Sequence, residues 1–262
     1  MRNPPVALST ASVFPEPVGR AFELAAQLGY DGVEVMIWVD PVSQDVSALA
    51  RLARRFDMPI VAVHAPCLLI TQRVWGADPV VRLRRSAEVA AELGARVVIV
   101  HPPFRWQRQY VASFADEVAA AERDHGIAVA VENMFPMRRA GLSVSAFHPT
   151  PDPTDAGYPN YTLDLSHTAA ARQDAVELLG RMGTGLAHVH LADGTGLPRD
   201  EHLVPGRGNQ PCAQVCETLA GAGFPGAISL EIDTRAARTQ SARASALAEA
   251  LLFARLHLER VP

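Results

Sequence analysis

Short, almost uninterrupted apolar runs alternate along this chain with longer segments of helical periodicity. The runs are Val6–Thr10, Gly32–Ile37, Ile60–Ala65, Val97–Pro102, Ile127–Met134, Tyr161–Asp164, Leu186–Leu191 and Ala227–Ile232. They are rich in β-branched residues and nearly continuously apolar, which predicts strands covered on both faces, as in a parallel sheet. Helical patterns fall between them at Val18–Leu28, Val46–Phe56, Pro79–Leu93, Tyr110–His125, Asp174–Arg181, Cys212–Ala222 and Ser241–Leu258. Gly29, Gly94 and Gly223 directly follow three of these, where a left-handed residue closes a helix most easily without a Cβ. Eight such units predict a single (β/α)8 TIM barrel spanning residues 1–262, with its active site at the C-terminal ends of the strands.

Two connections are longer than simple turns: Phe135 to Asn160, and Ala192 to Pro211, which contains Pro205-Gly206-Arg207-Gly208. Both follow strands, so both belong to the C-terminal face, where barrels carry functional loops. No linker or repeat suggests a second domain. A length of 262 residues and 48% hydrophobic content suffice for one large core.

The polar residues that interrupt the apolar strands are the most informative feature. Six consecutive strands end in an imidazole or a carboxylate: His64, His101, Glu132, Asp164 with His167, His188 with His190, and Glu231. Barrel closure brings these ends around one cup. Several carboxylates in a confined cup repel one another and take up protons unless a countercharge is present, and a divalent metal supplies it. Mixed histidine and carboxylate ligands suit zinc, manganese or a similar cation. The second long connection adds Asp200-Glu201-His202 over the same cup.

The basic residues comprise 24 arginines against 28 acidic residues, a net charge of −4, so there is no general electrostatic footprint for nucleic acid or anionic membrane. A small polar substrate fits better. The N-terminal residues lack a signal-peptide pattern and no stretch reaches a membrane-spanning length, so the expectation is a cytoplasmic protein. Cys67, Cys212 and Cys216 are odd in number and lack C-x-x-C spacing, which predicts reduced, buried thiols.

The ordered series resembles the xylose-isomerase-like barrel superfamily over nearly the whole chain. That superfamily contains sugar isomerases and epimerases as well as the endonuclease IV class of DNA repair enzymes. The resemblance to endonuclease IV implies nine metal ligands: His64, His101, Glu132, Asp164, His167, His190, Asp200, His202 and Glu231, with one to three ions per chain. The resemblance to the sugar epimerases implies a core quartet for one metal, Glu132, Asp164, His190 and Glu231. It also implies that Glu132 and Glu231 act as the acid/base pair and that His167 contacts a substrate hydroxyl. The activity it implies is isomerisation or epimerisation of a small carbohydrate, free or phosphorylated, and it admits a homodimer.

Two departures argue against endonuclease IV itself. Position 67, where that class carries a DNA-wedging Tyr, is Cys, and Glu132 is followed by Asn133-Met134-Phe135-Pro136-Met137 instead of a small-residue stretch. The acidic balance points the same way, although Arg105, Arg108, Arg138, Arg139 and Arg207 lie on the candidate C-terminal loops. A phosphodiesterase and a non-catalytic metal- or ligand-binding barrel remain the alternatives.

Three side residues complete the expectations. Glu34 on the second strand is placed either against substrate or against an arginine inside the barrel. His188, one layer deeper than His190, reads as a hydrogen-bonded core histidine. Arg207 is a candidate anion contact, and its glycine-rich surroundings also read as a tight loop.

Overall fold

The computed structural model describes residues 3–139 and 142–259. Eight parallel strands close on themselves: β1 (Val6–Ser9), β2 (Gly32–Met36), β3 (Ile60–His64), β4 (Val97–Val100), β5 (Ala128–Glu132), β8 (Tyr161–Asp164), β9 (Leu186–Leu191) and β10 (Ala227–Leu230). The last pairs with the first through Val6 to Ile228 and Leu8 to Leu230. The numbering gap is filled by a hairpin, β6 (Met137–Arg139) and β7 (Leu142–Val144), which projects from the connection after β5.

Because side chains alternate across a strand, each strand sends one set of residues outward and one set inward. Val63, Val98, Val100, Val129, Val131, Leu163, Val189, Leu191, Ile228 and Leu230 belong to the large buried cluster between sheet and helices. The intervening residues fill the barrel. Ala62, Val97, Ile99 and Ala130 form a separate small apolar cluster. Two residues further along three of those strands, the same inward alternation reaches His64, His101 and Glu132. It likewise carries Thr162 to Asp164, His188 to His190 and Ser229 to Glu231. Period-2 geometry thus puts every strand-end ligand candidate on one inner surface.

The outer helices are α1 (Val18–Leu28), α2 (Val46–Phe56), α3 (Pro79–Leu93), α4 (Arg108–His125), α6 (Ala175–Met182), α7 (Cys212–Ala222) and α8 (Gln240–Leu258). Their ends agree with the sequence signals. Asp45 and Asp78 accept hydrogen bonds from the first turns of α2 and α3, and Gly29, Gly94 and Gly223 have φ of 82°, 74° and 69°. Among the described residues no helix is long and apolar enough to cross a membrane. Cys212 and Cys216 are buried and Cys67 is partly buried, all as free thiols.

Several strands stop earlier than their apolar runs. After Ser9 the chain turns into a 3-10 helix at Thr10–Val13, so Thr10 leaves the sheet and its Oγ1 accepts a hydrogen bond from Met36 N. His101 and Glu231 likewise lie one residue past β4 and β10. The short helix α5 (Leu165–Ala171) was not foreseen. Among the described residues no long helix separates β5 from β8; the hairpin and a 3-10 turn, Pro153–Ala156, take its place. Arg105 fastens this connection by donating to Phe147 O and Pro149 O, each at 3.0 Å.

Candidate metal centre

The strand ends converge as expected, and the carboxylate of Glu132 lies between two groups of ligands. Its Oε2 is 3.4 Å from His64 Nε2 and 3.0 Å from His101 Nε2, while Oε1 accepts from His190 Nδ1 at 2.7 Å. His190 Nδ1 is also 3.5 Å from Asp164 Oδ2 and 3.4 Å from Glu231 Oε2. Candidate ligand atoms of His64, His101 and Glu132 lie within 4.8 Å of one another, as do those of Glu132, Asp164 and His190, and those of Asp164, His167 and His202. All nine sequence-inferred ligands face this one cup.

The local fold explains several placements. Asp164 ends β8 and also caps α5: its Oδ1 accepts from His167 N at 2.7 Å, leaving Oδ2 toward the cup. The Asp-x-x-His spacing is therefore that of a helix cap and its third residue. Asn133, overlooked in the sequence, clamps the same turn. Its Oδ1 accepts from Asp164 N at 2.7 Å and its Nδ2 donates to Asp164 O at 3.0 Å.

Each of four histidines turns one ring nitrogen to a protein acceptor. His64, His167 and His202 place Nδ1 on the carbonyls of Ala65, Asn133 and Glu231 at 2.9, 2.8 and 2.6 Å. His190 is reversed, with Nε2 3.2 Å from Glu34 Oε2 and Nδ1 toward the cup. Such anchoring turns the other nitrogen toward the carboxylates of the cup, the direction a metal-ligating imidazole takes. Buried Asp164 Oδ2, Glu132 Oε2 and Glu231 Oε2 have no hydrogen bond among the described residues. The 3.0 Å approach of His101 to Glu132 thus misses hydrogen-bond alignment. Side-chain oxygens left in this state beside imidazole donors fit a divalent cation.

Glu34 departs from both sequence expectations. It is fully buried and pairs with neither substrate-facing space nor an arginine, but with His188 Nε2 at 2.7 Å and with His190. His188 is the hydrogen-bonded core residue expected of it. Arg207 is not brought to the cup: its guanidinium pairs with Glu249 on α8, at 2.9 and 2.5 Å. The glycines around it serve a different residue, Asp193. This buried carboxylate accepts from the backbone N–H groups of Gly194, Gly206, Gly208 and Gln210 at 2.8, 2.9, 2.9 and 3.0 Å. A Cβ at Gly208 would stand 2.5 Å from Gly194 O and collide with Asp193.

Asp193 therefore organises the connection that carries Asp200 and His202. Charge-assisted bonds contribute about 1.5–3 kcal/mol each, and orphaned buried donors cost a similar amount. Asp193→Ala is expected to lose at least about 3 kcal/mol, lowering the melting temperature by roughly 6–12 °C, which calorimetry reads.

Electrostatics follow from dense burial. Desolvation raises the Glu132 carboxyl, but the charge of His190 and contacts from His101, His190 and His64 hold it well below the usual range. Burial prevails at Glu231 and raises it, despite His190 and His202. Burial lowers His101. At His167 burial opposes protonation, yet the charges of Asp164, Asp200 and Glu132 push the ring up to about 10. His64, His190 and His202 are raised too, against burial, chiefly by Glu132, by Glu34 with Glu132, and by Asp200 respectively.

Pushed up to about 10, the His167 ring holds a proton at neutral pH when no metal competes, and a ligating imidazole must give its proton up. Metal uptake by chelator-stripped protein is expected to release protons, with apparent affinity rising between pH 6 and 8 by about tenfold per unit for each proton displaced. The sign for stability is opposite. A raised folded-state pKa supports the stripped protein fully below the ordinary histidine value of about 6.5, and the support from His167 is lost as pH rises through about 10. The melting-temperature gap between loaded and stripped protein should widen over that window; a gap that narrows contradicts the assignment.

The cup opens into a cavity of about 710 Å³. A second, of about 870 Å³, lies at the opposite end of the barrel, beside Pro4, Asp31, Arg96 and Arg255, and shares no residue with it.

A closed parallel barrel bearing histidines and carboxylates at its C-terminal rim defines a class. The chain belongs to the xylose isomerase-like TIM barrel family, whose model matches residues 22–255. It is 54% identical to an uncharacterized protein of Mycobacterium tuberculosis, over 97% of this chain and 98% of that one. It is also 21% identical to fructoselysine 3-epimerase of Escherichia coli O157:H7, over 83% of this chain and 86% of the relative. Among solved structures, a D-tagatose 3-epimerase-like protein superposes with a TM-score of 0.66 at 23% identity, covering 97% of this chain and all of the other.

Proposed function

We propose that the protein is a metal-dependent isomerase or epimerase of a small sugar or related hydroxy-carbonyl compound. The observation that carries this reading is the pair Glu132 and Glu231 converging on one ring nitrogen of His190, 2.7 and 3.4 Å from its Nδ1. Similarity to proteins named as fructoselysine and D-tagatose-type 3-epimerases supports the substrate class.

Glu132, Asp164, His190 and Glu231 would hold the principal ion, which when bound polarises the substrate oxygens and lowers the cost of an enolate-like intermediate. The residues supply the rest. The glutamate holding the unprotonated carboxylate takes a proton from the carbon beside the carbonyl, and its counterpart returns one to the opposite face. Glu132, held ionised, and Glu231, raised by burial, have the opposed environments such a pair requires. His167, anchored through Nδ1 and facing the cavity, contacts a hydroxyl of the substrate. Glu34 fixes the His190 ring from behind, an orienting role.

The test is incorporation of solvent deuterium at a carbon next to the carbonyl when protein loaded with zinc or manganese is offered a panel of ketoses. Exchange that depends on the metal is expected, and its absence throughout the panel counts against the reading. The three adjoining ligand groups also suit phosphodiester hydrolysis of the endonuclease IV type. Against that stand Cys67 in place of the wedging Tyr and the engagement of Arg105, Arg138 and Arg207 with protein acceptors. Cleavage of abasic duplex DNA is expected to be absent.

A further inference from the structure

One side of the cup's cavity is not built for a simple sugar. The loops after β1, β2 and β3 contribute Phe14, Trp38, Val39, Leu68 and Ile70 to the same cavity that contains Glu132, Asp164 and Glu231. Phe14, Val39 and Ile70 are 43, 57 and 65% exposed, unusually open for large apolar side chains. The Phe14 and Trp38 rings meet edge to face, 5.9 Å between centroids, and stand as a continuous wall. A cavity of about 710 Å³ falls within the range of about 300–1,000 Å³ typical of sites for drug-sized ligands.

The polar groups on that side are already engaged. Arg235 is the one arginine among the residues lining the cavity, and Asp233 grips it, with Nε 3.0 Å from Oδ1 and Nη2 2.5 Å from Oδ2. The N-terminus of α1, the other feature that could receive an anion, is occupied by the carboxylate of Asp40, which accepts from Val18 N at 3.0 Å. Glu16 is likewise engaged, by Arg243 and Arg20. A phosphate placed there would be desolvated with each neighbouring arginine already engaged by a carboxylate.

We propose that the site takes an uncharged amphipathic ligand, with a hydroxy-carbonyl head in the cup and an alkyl or aryl group on the wall of Phe14, Trp38, Val39, Leu68 and Ile70, in preference to a phosphorylated sugar. This rests on the isomerase reading above for the placement of the head. The wall adds the energetics: an apolar group moved from water onto it gains about 25 cal/mol per Å² buried.

Hydroxamates resemble the enediolate head and chelate metals, so one head can be compared with different tails. Zinc-loaded full-length protein is titrated calorimetrically with acetohydroxamate, benzohydroxamate and phosphoglycolohydroxamate, with affinities for zinc in buffer as the reference. Benzohydroxamate is expected to bind at least about tenfold more tightly than acetohydroxamate after that correction. The phosphorylated probe should gain nothing over acetohydroxamate. In Trp38→Ala/Ile70→Ser, one change at a half-buried position and one at an exposed position, benzohydroxamate should weaken about tenfold more than acetohydroxamate, which also reports that the fold and cup persist. Equal affinities for the two neutral probes, or tighter binding of the phosphorylated one, overturn the proposal while leaving the isomerase reading standing. A dimer that the same double substitution dissociates, and that excludes benzohydroxamate, overturns it too and assigns the wall to a second copy of the chain. No zinc-dependent binding of any hydroxamate overturns the metal-site reading on which it rests.

Discussion

Glu231→Gln is expected to abolish metal-dependent exchange of substrate protons with solvent, lowering the rate by about 10²–10⁴-fold, the usual contribution of a positioned proton-transfer group. The amide preserves the shape and an oxygen donor but cannot accept and return a proton. Glu231 suits this measurement because its backbone is fixed independently of its carboxylate. Ser12 Oγ donates to Leu230 O at 3.1 Å and accepts from Ile232 N at 2.9 Å, and His202 Nδ1 holds Glu231 O at 2.6 Å. The substituted side chain therefore stays in place. Exchange is followed by mass spectrometry at saturating metal, so that weaker loading does not imitate a lost base. Undiminished exchange in the variant would remove Glu231 from the acid/base pair and leave it a ligand only.

The second large effect concerns Glu132→Ala, which is expected to weaken metal binding by more than about 100-fold, beyond the upper end of what losing an outer partner of a ligand costs. The reason is geometric. The two oxygens of this carboxylate serve different neighbours, Oε2 facing His64 and His101 and Oε1 facing His190. One truncation thus damages two ligand groups at once, whereas truncation of His101 damages one. Metal content after dialysis, measured by elemental analysis, should fall below one ion per chain in Glu132→Ala and remain near that value in His101→Ala. Equal losses in the two variants would show that the carboxylate does not join the groups.

Much of this site was legible because strand periodicity and barrel closure are both local rules with a forced outcome. A residue at the inner end of an apolar strand has nowhere to point but the cup, so His64, His101, Glu132, Asp164, His190 and Glu231 could be assembled from their positions alone. His167 follows from its place just past a strand end, and Asp200 and His202 from the long connection over the cup; their role as ligands was implied by the family resemblance. Their placement has a simple cause in the structure: Asp164 caps α5, and Ser166 Oγ donates to Asp200 Oδ1 at 2.5 Å while accepting from His202 N at 2.9 Å.

What escaped the sequence depends on contacts between distant segments. Arg207 in Pro-Gly-Arg-Gly looks like an anion contact until α8 presents Glu249 to it, and the flanking glycines look like a turn until Asp193 is found filling it with its carboxylate. Glu34 and His188 stand 154 residues apart and meet at 2.7 Å, a pairing no pattern within either strand encodes. The apolar wall is likewise assembled from three loops whose conformations are irregular.

The sequence by itself determined the barrel, the inward direction of its strand-end ligands and the absence of a strongly basic surface, since these depend on alternation, punctuation and composition. Tertiary structure decided which ring nitrogen each histidine offers, which arginines are already engaged and which side of the cup is apolar. Those are matters of ångström-scale proximity between residues remote in the chain, and hydrogen-bond partners and desolvation exist only once the chain has closed.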